Sequence, residues 1–133
     1  MKSFYGNNPQ DSVDFPRIIN DKHFKRLSSM LQDGTIIVGG NTDAESRYIA
    51  PTLIELDTFE HPLMQDEIFG PILPVITIQS VDEAISIVKQ FEKPLAFYIF
   101  SNHYETQQKC LNTVQFGGGC VNDTLSHFVN DHL

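Results

Sequence analysis

The chain has 133 residues, 41% of them hydrophobic and 20% charged, the size and composition of one folded domain, which excludes a disordered tail and a multidomain enzyme. Nine Lys and Arg against seventeen Asp and Glu leave a formal net charge of −8, which repels polyphosphate and argues against nucleic acid as the principal partner. Cys110 and Cys120 are too few for a disulfide framework, no signal-peptide pattern follows Met1, and no apolar run nears the roughly 18 to 20 residues of a membrane span, so a cytoplasmic chain with no stable span is expected.

In chain order, residues 1–20 carry turn chemistry in Gly6, Asn7, Asn8, Pro9 and Pro16 and read as an irregular lead-in rather than a packed element. Phe24, Leu27 and Leu31, widened by Met30, recur at helical spacing after Asn20 or Asp21 as cap and before Gly34, which predicts a helix over 21–33 with Lys22, Lys25 and Arg26 on its solvated face. A β-branched run at 35–38 closes on Gly39 and Gly40. Strand signals at 48–50 and 52–56 flank Pro51, which makes them an edge strand or a broken one. Residues 59–71 are loop-like yet hold Leu63, Met64, Ile68 and Phe69, so the loop is either tucked into a core or presented to a ligand.

The second half alternates: strand 73–78, helix 81–91, strand 95–100, helix 104–114, strand 119–122. This is the α/β pattern of a mostly parallel sheet with flanking helices. Ser80 with Glu83, and Asn102 with Glu105, have capping-box spacing.

Chemistry concentrates in Glu67-Ile68-Phe69-Gly70-Pro71, where a carboxylate and an aromatic precede a buried strand. On residue types alone Glu67 reads as a solvated loop acid and Phe69 as a core plug. Cys110, on a polar helix, and Cys120, in a Gly-rich strand, announce no activating environment. Gly117-Gly118-Gly119 follows a helix and opens a strand, the reverse of a phosphate cradle. Asp123, His127, Asp131 and His132 match no standard zinc spacing, and no metal site is expected; they read as a plain tail.

The pentapeptide resembles the Glu-x-Phe-Gly-Pro signature of the NAD(P)-dependent aldehyde dehydrogenases. Arg17-Ile18-Ile19-Asn20, His23-Phe24, Gly39-Gly40, the run from Tyr48 to Thr52, the run from Glu92 to Ala96, and the run from Gly117 to Asp123 resemble the class 3 branch in the same order. The resemblance covers about Phe4 to Leu133 and reverses the reading of Glu67. It implies that 21–133 is part of the catalytic domain, that Glu67 binds the ribose hydroxyls beside the nicotinamide of NAD or NADP, and that Phe69 packs beside the nicotinamide ring. It also implies oxidation of a small-molecule aldehyde to a carboxylic acid by a homo-oligomer, a dimer in the first instance. The family's nucleophilic Cys and general-base Glu have no match here, so no catalytic residue is expected in this chain, and the chain by itself is expected to be inactive. The competing expectations are a non-catalytic interaction or oligomerisation module derived from that family and a small flavodoxin-like binder, for which the strand-to-helix loop Ile78-Gln79-Ser80 supplies little.

Overall fold

The computed structural model describes residues 2–129; Asp131 and His132 of the loose acidic and histidine cluster lie outside them. The chain divides into two compact units that meet between Thr77 and Ile78, each with its own core.

In the first unit, α1 (Lys2–Tyr5) precedes α2 (Asp21–Met30), β1 (Thr35–Val38), β2 (Thr42–Asp43), β3 (Tyr48–Ile49), β4 (Thr52–Glu55) and β5 (Ile72–Val75). Asn20 caps α2 by accepting from the His23 backbone N–H at 2.9 Å. The helix is shorter than expected. Its C-terminal end tightens at Gln32 N–H to Ser29 O and Asp33 N–H to Met30 O, i to i+3 bonds that satisfy the last carbonyls without another α turn. The expected stripe does face the core: Phe24, Leu27 and Leu31 cluster with Ile49, Ile54, Leu56, Leu63 and Ile72.

Pro51 breaks the strand rather than marking an edge. With no N–H to donate, it separates β3, which pairs antiparallel with β2, from β4, which lies between antiparallel β1 and parallel β5. The corner is held by the Thr52 hydroxyl, which donates to Ala50 O at 2.7 Å and accepts from Gly40 N–H at 2.9 Å. Pro74 is tolerated because β5 is an edge strand.

The lead-in is more packed than its turn residues suggest. Phe15 is buried with Tyr48 and Ala50; its ring lies 5.1 Å from Tyr5 and 5.7 Å from Tyr48. The Arg17 guanidinium stacks over Tyr48 at 5.1 Å and donates to the backbone oxygens of Phe15 and Gln10. Isolated aromatics without period carry the packing, so periodicity misses it.

The second unit contains α3 (Val81–Val88), β6 (Ala96–Ile99), α4 (Tyr104–Thr113) and β7 (Gly118–Val121). The strands pair in parallel across α4, as the alternation requires. Ile85, Ile99, Cys110 and Val114 form the core, with Val81, Val88, Phe97, Leu111, Phe116 and Val121 packed against it. The cap at α3 forms in its Ser80 half, with Ser80 Oγ accepting from Glu83 N–H at 3.1 Å, while the Glu83 carboxylate reaches past the cap to accept from Gln79 N–H at 2.6 Å rather than from Ser80 N–H. The one expected at Asn102 and Glu105 does not. His103 is the residue before α4 and makes no side-chain cap; Ser101 takes over, its Oγ accepting from His103 N–H and its carbonyl from the Gln107 amide. The α/β character therefore stands, with antiparallel β1 and the β2–β3 pair as additions to the parallel pairings. No helix among the described residues is long and apolar enough to cross a membrane.

Candidate functional site

The segment between β4 and β5 is both tucked in and presented. His61 turns the chain into the short 3-10 helix Pro62–Met64, its Nδ1 accepting from Leu63 N–H at 3.2 Å. Leu63, only 2% exposed, anchors that turn in the core, and Ile68 packs against the same cluster. Arg26 is not simply on the solvated face of α2. It donates through Nη2 to Ile68 O, tying helix to loop. Gly70 lies flat on α2, where a Cβ would come within 2.7 Å of Leu27 Cδ1. Thr52 N–H donates to Pro71 O at 2.8 Å, and β5 begins at the next residue.

Anchors on both sides leave Glu67 and Phe69 pointing outward. Glu67 is exposed, and its carboxylate has no hydrogen bond or ion pair among the described residues. Phe69 is 74% exposed, which overturns the core-plug reading. Its backbone is left-handed, with φ of 49°, a conformation that costs a bulky side chain on the order of 1–3 kcal/mol. A strained, exposed aromatic held by buried neighbours is what a surface built to meet something looks like.

Phe69 borders a groove of about 670 Å³, whose walls include Tyr5, Phe15, Ile18, Ile19 and His23. The groove is mainly apolar; Arg17 and His23 also border it. A flat ring could lie against such a wall while a carboxylate nearby accepts from hydroxyls. Sequence reasoning missed Tyr5 and Phe15 here because they sit in the lead-in; the signal available was the density of aromatics ahead of Arg17.

The remaining candidates fall elsewhere. Cys110 is buried in the second unit's core, where burial pushes its thiol pKa up, opposed by the Lys109 cation. Gly117 precedes β7, and Gly118 and Gly119 are its first two residues, so the run opens a strand and no helix. Among the described residues no three metal-ligating side chains converge. His127, read as tail, instead meets Cys120.

A strand-and-helix scaffold that projects a carboxylate and an aromatic from an anchored Glu-x-Phe-Gly-Pro loop defines the candidate site of an α/β protein. The family is then unambiguous: the aldehyde dehydrogenase family model matches residues 1–132, and the chain belongs to that family. It is 47% identical to the 4,4'-diaponeurosporen-aldehyde dehydrogenase of Staphylococcus aureus over 135 residues, an alignment spanning 100% of this chain and 29% of the relative. It is 51% identical to aldehyde dehydrogenase family 3 member B3 of Mus musculus, over 98% of this chain and 27% of that protein. The substrate-bound structure of Staphylococcus aureus AldH superposes with a TM-score of 0.93 at 48% identity, covering 99% of this chain and 29% of that one. A 1-pyrroline-5-carboxylate dehydrogenase from Thermus, solved with bound NAD, shares the fold with a TM-score of 0.74 at 22% identity, over 84% of this chain and 22% of its own. The chain thus spans under a third of the length of these relatives.

Proposed function

We propose that this chain is the part of an NAD(P)+-dependent aldehyde dehydrogenase that orients the nicotinamide end of the cofactor, NAD or NADP, within the partial catalytic domain formed by 21–133. The observation that carries this is the outward projection of Glu67 and Phe69 from a loop whose intervening residue, Ile68, is packed into the core. The residues fit the group. The unpartnered Glu67 carboxylate offers two acceptor oxygens to a ribose diol, and charge-assisted bonds of this kind fix orientation better than neutral ones. Phe69 supplies a flat apolar wall to one face of the ring.

When bound, the cofactor supplies the hydride acceptor for converting an aldehyde to a carboxylic acid. This chain's share is positional. Glu67 fixes the rotation of the sugar, Phe69 limits the tilt of the ring, and the anchors at Leu63, Arg26 and Gly70 keep both from drifting, which matters because small misplacements at the reacting carbon are costly in rate. Nucleophile and general base belong to the remainder of the enzyme, which the reading takes to be a cytoplasmic homodimer acting on a small-molecule aldehyde.

The test is a chimera in which these 133 residues replace the matching segment of the staphylococcal relative. The chimera is expected to reduce NAD(P)+ with an aldehyde, and the isolated chain is expected to show no turnover. Sustained NAD(P)H formation by the isolated chain, or a folded but inactive chimera that no longer binds cofactor, would contradict the reading; the second result would favour a non-catalytic module.

A further inference from the structure

Residues 118–129 double back on themselves. β7 runs into a turn where Asn122 and Leu125 both adopt positive φ, 56° and 63°. The Asn122 amide holds the turn by exchanging two hydrogen bonds with the Ser101 backbone, at 2.8 and 3.0 Å. The chain then returns as the 3-10 turn Ser126–Val129, packed on the strand it has just left. Two polar side chains thereby land on the Cys120 thiol: Ser126 Oγ at 3.0 Å and His127 Nδ1 at 3.6 Å.

The imidazole is fixed in place. A Cβ on Gly118 would lie 2.3 Å from His127 Cδ2, so the ring rests on the strand only because that residue is glycine. The rings of Tyr98 and Phe128 flank it, at centroid distances of 5.6 and 4.2 Å. Cys120 itself is 9% exposed and borders a shallow groove of about 560 Å³ together with Gly118, Gly119, Asp123, Ser126 and His127. Cys110 provides the internal contrast: it is equally buried, but its thiol has no hydrogen-bond partner among the described residues.

A thiol within hydrogen-bond distance of an imidazole nitrogen has the arrangement in which the ring, in the tautomer with that nitrogen unprotonated, can take the thiol proton and leave the nucleophilic form. The small exposed area of the Cys120 thiol and the acidic chain favour a small neutral electrophile over an anionic one. We propose that Cys120 is a peroxide-reactive modification site, activated by His127 and assisted by Ser126. His127 Nδ1 takes the thiol proton. Sulfur then attacks one oxygen of hydrogen peroxide, forming the S–O bond as the O–O bond breaks. The departing hydroxide takes the proton from His127 and leaves as water. Sulfur loses two electrons and peroxide gains them, giving a sulfenic acid that Ser126 Oγ can hydrogen-bond. The site lies within the second unit and does not rest on the function proposed for Glu67 and Phe69.

The test exposes the 133-residue chain to hydrogen peroxide, traps sulfenic acid with dimedone, and reads each cysteine by mass spectrometry. Cys120 is expected to label about tenfold faster than Cys110, His127→Ala to slow Cys120 about tenfold, and Ser126→Ala to slow it about threefold. Free imidazole is expected to restore part of the rate in His127→Ala, which a purely structural role would not allow. Cys110 reports folding in the same sample: if its labelling rises in His127→Ala, the decision passes to Ser126→Ala and to the unsubstituted chain. Equal labelling of the two cysteines in the folded chain, an unchanged Cys120 rate in a folded His127→Ala or in Ser126→Ala, or no response to imidazole in a folded His127→Ala would overturn the proposal.

Discussion

Gly70 is pressed against Leu27: a Cβ at Gly70 would stand 2.7 and 2.8 Å from the two terminal methyls of a leucine with no exposed surface. Leu27 is fully buried and belongs to the first core, whose members include Ile54 and Leu63, so it has little room to yield. Replacing Gly70 by Ala should therefore destabilise the chain by about 1–3 kcal/mol in urea unfolding, the usual cost of overpacking. In a Leu27→Ala background the same change should cost much less, because the clash is gone. Additive effects in that double-mutant cycle would show that the contact is not what holds the loop.

Phe69 stands outside the core. Its φ of 49° and its high exposure mean that Phe69→Gly removes strain and little packing, so the unfolding free energy should change by less than about 1 kcal/mol. A core phenylalanine would cost about 3–5 kcal/mol on truncation. A loss of that size, measured by urea titration, would return Phe69 to the core and remove it from the site.

Tyr48 gives the lead-in a pH signature. Its phenol is buried against Phe15, and that burial raises its pKa above the ordinary value of 10.0, with Arg17 pulling the other way. Above pH 10 the folded state then holds a proton that the unfolded state has released. The contribution is complete below the unfolded pKa and is lost as pH rises through the folded one. Stability should decline on going from pH 9 to pH 11, and Tyr48→Phe should flatten that decline. Identical pH dependence in both chains would mean that Tyr48 titrates alike folded and unfolded.

What the sequence discloses here depends on how local the cause is. Phe24, Leu27 and Leu31 announce α2 because a helix repeats its buried face, and Ser80 with Glu83 announces α3 because a cap acts across three residues. Asn102 with Glu105 has the same spacing but no box: α4 starts at Tyr104 as expected, which makes His103 the residue before it, and Ser101, clamped by distant Asn122, accepts the His103 N–H instead. The loop between β4 and β5 could be read as important from its motif, yet whether Phe69 was core or surface depended on Arg26 and Gly70 meeting other parts of the chain. Phe15 against Tyr48, and Cys120 against His127, were illegible for the same reason: a turn with unusual φ or an unpatterned aromatic makes each contact.

The proposed orientation of the nicotinamide ribose by Glu67 can be measured as single-turnover hydride transfer in the chimera with the staphylococcal relative. Glu67→Gln removes the charge from the acceptor while keeping its shape, and losing charge-assisted hydrogen bonds of about 1.5–3 kcal/mol corresponds to a rate lower by roughly 10- to 100-fold. Aldehyde binding and the unfolding midpoint should be nearly unchanged, because the side chain is exposed and unpartnered within the chain. Equal single-turnover rates for the Gln variant and its parent would show that Glu67 does not orient the ribose.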